Sequence, residues 1–397
     1  MTAELSGLLK SIRKRRGLTQ TELAEKSGVS ASWISQLERG AVEDTRLETV
    51  HRLAKALRVP TSTLLPAGDG APAHTSDVEQ WTPVRRALEG QYDGAEPEET
   101  PTLEGLTEIL TGTAAPAFAA TRYSTLQAIF PPMLRDLDRL VNLSEGQAKA
   151  DARKLRSQVL QIAAWLMSHT WQHEVAEQAV ALALDDAPDE ETATAAIDLK
   201  CWGLIRQGRF AETRDLAIRW ADDIEPRMTK ASRGDLCGWG RIMLRMSVAA
   251  SRDNRPGEAE NALRFAQMAA AGVGPDYIRD AGNSTVFGPM TVAMIRSENA
   301  LIQDRPEVTL KIGARIDRSR FPSTRVWARH RLDVASAYVR TGNTTEGMEI
   351  LQDIRRRTPE WITTQRYARD ILGKVIERRR TLTPEIRELA DAIRLPY

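Results

Sequence analysis

Residues 12–40 read IRKRRGLTQTELAEKSGVSASWISQLERG, and residues 47–65 continue LETVHRLAKALRVPTSTLL. The punctuation in these two stretches predicts short helices. Leu5, Leu8, Leu9 and Ile12 recur at helical spacing, and Gly17 stands where a helix end favours a left-handed residue. Thr19-Gln20-Thr21-Glu22 has the form of a capping box, so a second helix opens there, with Gly28 closing it. Ser30 caps a third helix, Ala31 to Arg39, ended by Gly40. Ile34 and Leu37 face inward, with Trp33 beside them, and Val29 is expected to be buried between the two helices. A fourth helix spans about Leu47 to Leu57, with Val50, Leu53, Ala54 and Leu57 inward, and Pro60 opens a last short turn near Leu64 and Leu65. The expectation is five short helices around one small core over residues 1–65.

This stretch resembles the phage-repressor and Cro-like helix-turn-helix family, also called the xenobiotic-response-element family. The likeness covers about sixty residues and includes both helices and the turn. It implies a λ-repressor-like domain that binds double-stranded DNA. By position, Gln20 would anchor to a phosphate and support a base contact. Ala31, Ser32 and Gln36 would reach base edges, Ser35 would share that face, and Ser30 and Arg39 would lie near the DNA backbone. The resemblance makes Arg13 and Glu38 a salt bridge between the first and third helices, so Arg13 is read as a brace before a DNA contact. Trp33 is read as a packing or backbone contact before a base reader. The loop after the third helix, Ala41 to Thr45, lacks the family's usual proline and carries Glu43 and Asp44, which would weaken a phosphate anchor there.

The recognition face, Ala31, Ser32, Ser35, Gln36 and Arg39, is small, polar and neutral to basic, as close approach to base edges requires. Met1 to Pro60 holds eleven Lys and Arg against seven Asp and Glu, a net of about +4 in a chain whose total is only +1. Pro66 to Glu104 holds nine acids and two arginines. With PAGDGAPAHTSDVEQ at residues 66–80, the region 66–100 reads as a flexible acidic linker.

From Thr100-Pro101 to residue 397, apolar residues recur at three and four and strand alternation is scarce, so the chain reads as all-α. Turns at residues 206–212, 252–258, 303–307 and 341–346 separate pairs of helices roughly 40–50 residues apart, the rhythm of helical-hairpin repeats. The pattern resembles degenerate tetratricopeptide repeats forming a superhelix. The whole chain is similar to an actinobacterial group of repressor-type regulators with a helical-repeat C-terminal half. The carriers are WTPVRRAL at 81–88, the stretch Arg122 to Leu140, NSTVFGPMTVAMIRSE at 283–298 and RVWARHRLDVASAYVRTGN at 325–343. That resemblance implies a concave surface that dimerises the protein or binds a small signal molecule or peptide. Candidate lining residues are Trp202, Arg206, Trp239, Arg241, Asn283, Phe287, Arg296 and His330. Pro289 is expected to bend or break a helix.

Other chemistries lack their motifs. There is no GxxxxGK[ST] or GxGxxG loop, and no nucleophile beside a base, so neither an enzyme nor a cofactor is expected. His169 and His173, four apart, lack a third ligand and read as surface histidines without metal. Cys201 and Cys237 have no CxxC partner, and no apolar run approaches a membrane span, which points to a cytoplasmic, nucleoid-associated protein. The expected function is a dimeric DNA-binding regulator reading a palindromic operator. The alternative is a DNA-localised scaffold whose repeats hold a partner protein.

Overall fold

The computed structural model describes residues 2–42, 45, 47–64, 79–92, 99–278, 286–317, 324–378 and 381–395. The N-terminal head comprises α1 (Thr2–Arg15), α2 (Gln20–Ser27), α3 (Ala31–Glu38), α4 (Leu47–Leu57) and a single 3-10 turn, Thr61–Thr63. The last of the five expected helices is therefore one 3-10 turn. Thr19 Oγ1 accepts the Glu22 amide at 3.1 Å while Glu22 Oε2 accepts the Thr19 amide at 2.7 Å, so two orphan donors are satisfied at the start of α2. Gly28 ends α2 with φ of 64°, a left-handed conformation that disfavours side chains. Leu5, Leu9, Leu23, Ile34, Leu37, Leu53 and Leu57 form the head's core, and Val29 packs half-buried at its edge.

The remainder is a series of helical hairpins. After α5 (Thr82–Leu88), α6 (Leu103–Ile109) and α7 (Ala115–Ala119) come α8 (Tyr123–Leu143), α9 (Gly146–His169) and α10 (His173–Asp185). Next are α11 (Glu190–Arg206), α12 (Phe210–Asp223), α13 (Arg233–Arg252) and α14 (Pro256–Val273). The series ends with α15 (Pro289–Ile302), α16 (Pro306–Gly313), α17 (Thr324–Arg340), α18 (Thr344–Arg357), α19 (Pro359–Thr363), α20 (Arg366–Glu377) and α21 (Pro384–Ala392).

Among the described residues one three-residue connection recurs six times. Its central residue is Thr121, Trp171, Gly208, Asn254, Asp304 or Gly342, with φ of 61°, 62°, 77°, 57°, 63° and 93°. At each, the next amide reaches back five residues, as in Gln172 N–H to Met167 O at 2.9 Å and Arg305 N–H to Ala300 O at 2.9 Å. That is the Schellman closure, which satisfies the last carbonyls of one helix and launches the next.

Two expectations need correction. Residues 66–100 are not a linker throughout: α5 lies inside them, and Trp81, Val84, Ala87 and Leu88 are buried in the core of the helical array. Pro289 bends no helix; it sits in the first turn of α15, where its missing N–H breaks no bond. The described residues are nearly all helical, as expected, with one two-residue exception: Tyr277–Ile278 (β1) pairs antiparallel with Val286–Phe287 (β2), Tyr277 opposite Phe287.

The array's two ends meet. The Ser124 amide donates to Glu360 at 2.8 Å, Gln365 Nε2 lies 3.4 Å from His169 Nδ1, and the Arg325 guanidinium rests 4.4 Å from both the Phe118 and the Trp165 ring centres. These contacts gather the hairpins around an interior space. The head covers one mouth of that space. The Ser62 amide donates to Asp253 at 2.8 Å, Asn254 Nδ2 to Val59 O at 3.2 Å, and Lys55 Nζ to Gln303 O at 3.1 Å. Leu47 packs on Ile205, Phe210, Val248 and Ala249.

Candidate nucleic-acid interface

The third helix is held by its buried side. Arg13 grips Glu38 with two hydrogen bonds, Nε to Oε1 at 2.5 Å and Nη2 to Oε2 at 2.9 Å, and donates a third to Leu18 O at 2.6 Å. Burial would push the Glu38 carboxyl up, but hydrogen bonds from Arg13 and Gln20 outweigh it and hold the group below its ordinary range. Glu38 is the one acid of α3, so this pair withdraws negative charge from the helix's outer face. Gln20 Nε2 donates to Glu38 at 2.9 Å, a partner that the sequence reading missed. Gln20, Arg13 and Glu38 thus form one buried polar brace joining α1, α2 and α3.

On the open side, Ser30, Ser32, Gln36 and Arg39 are exposed, and Ala31, Ser35 and Trp33 are half-buried. Ser30 accepts the Trp33 amide at 3.2 Å and so caps the helix. Trp33 packs against the head's core. Arg39 Nε donates to Ser35 O at 3.2 Å. The docked array meets the head through α4 and the 3-10 turn, which leaves the α3 face uncovered. Glu43 and Asp44 lie outside the described residues.

Between head and array lies a cavity of about 1610 Å³. Glu48, His51, Arg52 and Lys55 of α4 form part of its wall; the first helices of successive hairpins, with α19 and α20, supply much of the rest. These inner helices repeat polar or aromatic residues every fourth position: Trp165 and His169, then Asp198, Trp202 and Arg206, Arg241 and Arg245, and Arg325, Arg329 and Asp333. Asp198 binds Arg241 at 2.6 Å and Arg245 at 2.7 Å; burial opposes its charge, but the two guanidiniums hold the carboxyl well below the usual range. Glu298 binds Arg252 at 2.6 Å and Arg329 at 3.2 Å. Trp165 and Trp202 stack with centroids 5.9 Å apart and planes 7° from parallel.

Of the candidate ligand residues, Trp202, Arg206 and Arg241 line this cavity. Four others lie elsewhere. Trp239 is buried with its indole N–H on Ala221 O at 3.1 Å. Phe287 is fully buried against Gly240, where an added Cβ would come within 2.1 Å of its ring. Arg296 faces outward to Glu260 at 3.2 Å and Gln267 at 3.1 Å, and His330 is enclosed in the core. Asn283 lies outside the described residues. The sequence reading missed Trp165, His169, Arg325 and Arg329; their i,i+4 spacing on α9 and α17 was the available signal. His169 and His173 do not share a helix and are not surface residues. The turn at Trp171 parts them, His169 is buried, and His173 is half-buried with its ring nitrogens unpartnered.

Among the described residues, no helix is long and apolar enough to cross a membrane, and no cluster of three His, Cys, Asp or Glu could hold a metal. No solved structure matches the chain. The chain is 34% identical over 84 residues, 21% of its length, to the HTH-type transcriptional regulator SutR of Escherichia coli K12. It is 40% identical over 57 residues, 14% of its length, to the HTH-type transcriptional repressor RghR of Bacillus subtilis 168. The matches cover 47% and 42% of those relatives, just under half of each. Residues 4–66 match the family profile described as a helix-turn-helix domain, and with the geometry of α2 and α3 this makes the head a helix-turn-helix domain.

Proposed function

We propose that this chain is a sequence-specific, DNA-binding transcriptional regulator of the xenobiotic-response-element type, without catalytic activity, working in the cytoplasm on the nucleoid. The observation that carries this reading is the α3 face. Ser32, Gln36 and Arg39 stand exposed on a helix whose one acid is buried under Arg13. Ser32 and Gln36 read base edges in a major groove, Ala31 and Ser35 allow close approach, and Ser30 and Arg39 meet the sugar-phosphate backbone. One such head reads a short half-site. A homodimer therefore places two heads on a palindromic operator, with half-sites about 34–36 Å apart or a multiple of that.

In this proposal residues 101–397, with α5, form a tetratricopeptide-like sensor for a small molecule or peptide. The cavity between head and array supports the sensor reading over a partner-protein scaffold, because a small occupant there lies against both parts of the chain. The head contributes α4 to the cavity wall, so an occupant touches the DNA-reading unit directly. The test is selection of duplexes from a random pool by the full-length protein. Enrichment of an inverted repeat is expected; recovery of an unenriched pool, bound as tightly as any selected duplex, overturns the reading.

A further inference from the structure

The cavity wall is chemically biased. The array contributes ten Lys and Arg side chains to it against five Asp and Glu, a surplus of five positive charges around one cavity. The acids there are engaged: Asp198 by Arg241 and Arg245, and Glu298 by Arg252 and Arg329. Arg325 and Arg206 have no carboxylate partner. Arg325 makes neither a hydrogen bond nor an ion pair with any described residue, and its Nε is buried without an acceptor. Arg206 gives only its Nε, to Ser168 O at 3.1 Å. Both rest on aromatic rings, Arg325 on Phe118 and Trp165 at 4.4 Å, Arg206 on Trp171 at 4.8 Å and Trp202 at 5.0 Å. Trp361 also lines the cavity; it is 1% exposed and its indole N–H has no acceptor.

Unpaired buried guanidiniums are expensive unless an anion meets them. Burial pushes both Arg206 and Arg325 down to about 10, which leaves them cationic at neutral pH. Trp165, which carries Arg325, and Trp202, which carries Arg206, stack on one another, a flat apolar wall beside fixed positive charge.

We infer that the cavity is the site of a small organic anion built on a flat ring, its charge met by Arg206 and Arg325 and its ring held by the tryptophan wall. An aromatic carboxylate and a nucleotide share this chemistry. Ligand sites commonly occupy about 300–1,000 Å³, and the 1610 Å³ here leaves the occupant room to reach His51, Arg52 and Lys55 of the head. The inference rests on the sensor reading proposed above and names its ligand class and site.

The test is calorimetric titration of the full-length protein with naphthoate, naphthamide, adenosine monophosphate and inorganic phosphate, repeated on Arg206→Met and Arg325→Met. Saturable binding of naphthoate or the nucleotide is expected, at least tenfold tighter than naphthamide. Each arginine variant should lose at least tenfold in affinity with a melting temperature unchanged or raised, because it removes an unpaired buried charge. A response to naphthoate alone identifies an aromatic acid, and a response to the nucleotide alone identifies a nucleotide. Equal binding of acid and amide, phosphate binding as tightly as either ringed anion, wild-type affinity in both variants, or no saturable response to either ringed anion overturns the inference. Duplex selection on the same preparation separates the two failures: anion binding without duplex enrichment removes the regulator reading and leaves the site, while the converse removes only the site.

Discussion

Glu48 and Lys374 are 326 positions apart in the chain and 2.9 Å apart in space. Glu48 opens α4 of the head, Lys374 lies on α20 near the array's end, and Arg340 of α17 joins them at 3.2 Å from Glu48. Burial would raise the Glu48 carboxyl, but Lys374 and Arg340 together hold it below its usual range. The head's orientation is therefore tied to four hairpins: those turning at Asn254 and Asp304, through Val59 and Lys55, and, through Glu48, the one turning at Gly342 and the last.

Reversing that charge should loosen the head. Each exposed pair contributes only about 0.2–1 kcal/mol, but Glu48→Arg replaces two attractions with a cluster of three cations. The backbone contacts at Ser62 and Val59 remain, so partial undocking is expected. Small-angle scattering should show a larger radius of gyration for Glu48→Arg than for the parent at low salt, with little change in array melting. An unchanged radius would mean that the Leu47 contact and the backbone bonds alone fix the head.

The brace under α3 should matter more than any surface pair. Arg13 and Glu38 are both more than nine-tenths buried, and their bond is bidentate. Arg13→Gln leaves Glu38 without its cation and should cost about 3 kcal/mol of head stability. Arg13→Lys keeps the charge and loses the fork, so its loss should be smaller. Hydrogen exchange of the α2 and α3 amides in the full-length chain reads this directly. Adding Glu38→Gln to Arg13→Gln should recover part of the protection; additive losses would deny the coupling.

Ser32→Ala and Gln36→Ala should each weaken binding to a selected duplex by about 1–3 kcal/mol while leaving random duplex nearly untouched. Arg39→Gln should weaken both and reduce the slope of log affinity against log salt by about one. Titrations at several salt concentrations separate the two kinds of residue. If all three variants lose affinity for random and selected duplexes alike, α3 is not the reading helix.

The hairpin turns at Gly208, Asn254, Asp304 and Gly342 were legible because Gly, Asn and Asp are the residues that most readily take positive φ. Thr121 and Trp171 adopt the same conformation with no such signal, held by the helices they join, and those turns went unread. The head was legible because its caps are local: Thr19 and Ser30 bond within three residues. The helix α5 was hidden because its short apolar stripe, Trp81, Val84 and Leu88, stands in acidic surroundings and finds its core only in distant chain. The cavity residues were half-legible for a geometric reason. Trp239 is two positions from Arg241, about 200° around the helix, and His330 is one from Arg329, about 100°. Residue type suggested a site, but only the packing of neighbouring helices fixes which face looks inward.

His330 provides a pH test of that packing. It is 2% exposed, neither ring nitrogen has a hydrogen-bond partner, and burial, with Arg331 and Arg329 nearby, pushes it down to about 4 against an opposing pull from Glu298. In the unfolded chain the same ring titrates near 6.5. Between those values the unfolded chain holds the proton and the folded chain does not. Stability from this group is therefore complete above about 6.5 and is lost as pH falls toward 4. His169, pushed well below its usual value by burial and by Arg206, Arg325 and Arg329, acts in the same direction. His330→Leu removes a titrating group and two unsatisfied nitrogens, so it should flatten the drop in melting temperature between about pH 7 and pH 5 without lowering stability at pH 7. A parallel downward shift at both pH values would show that the ring's shape, not its charge, is what the core requires.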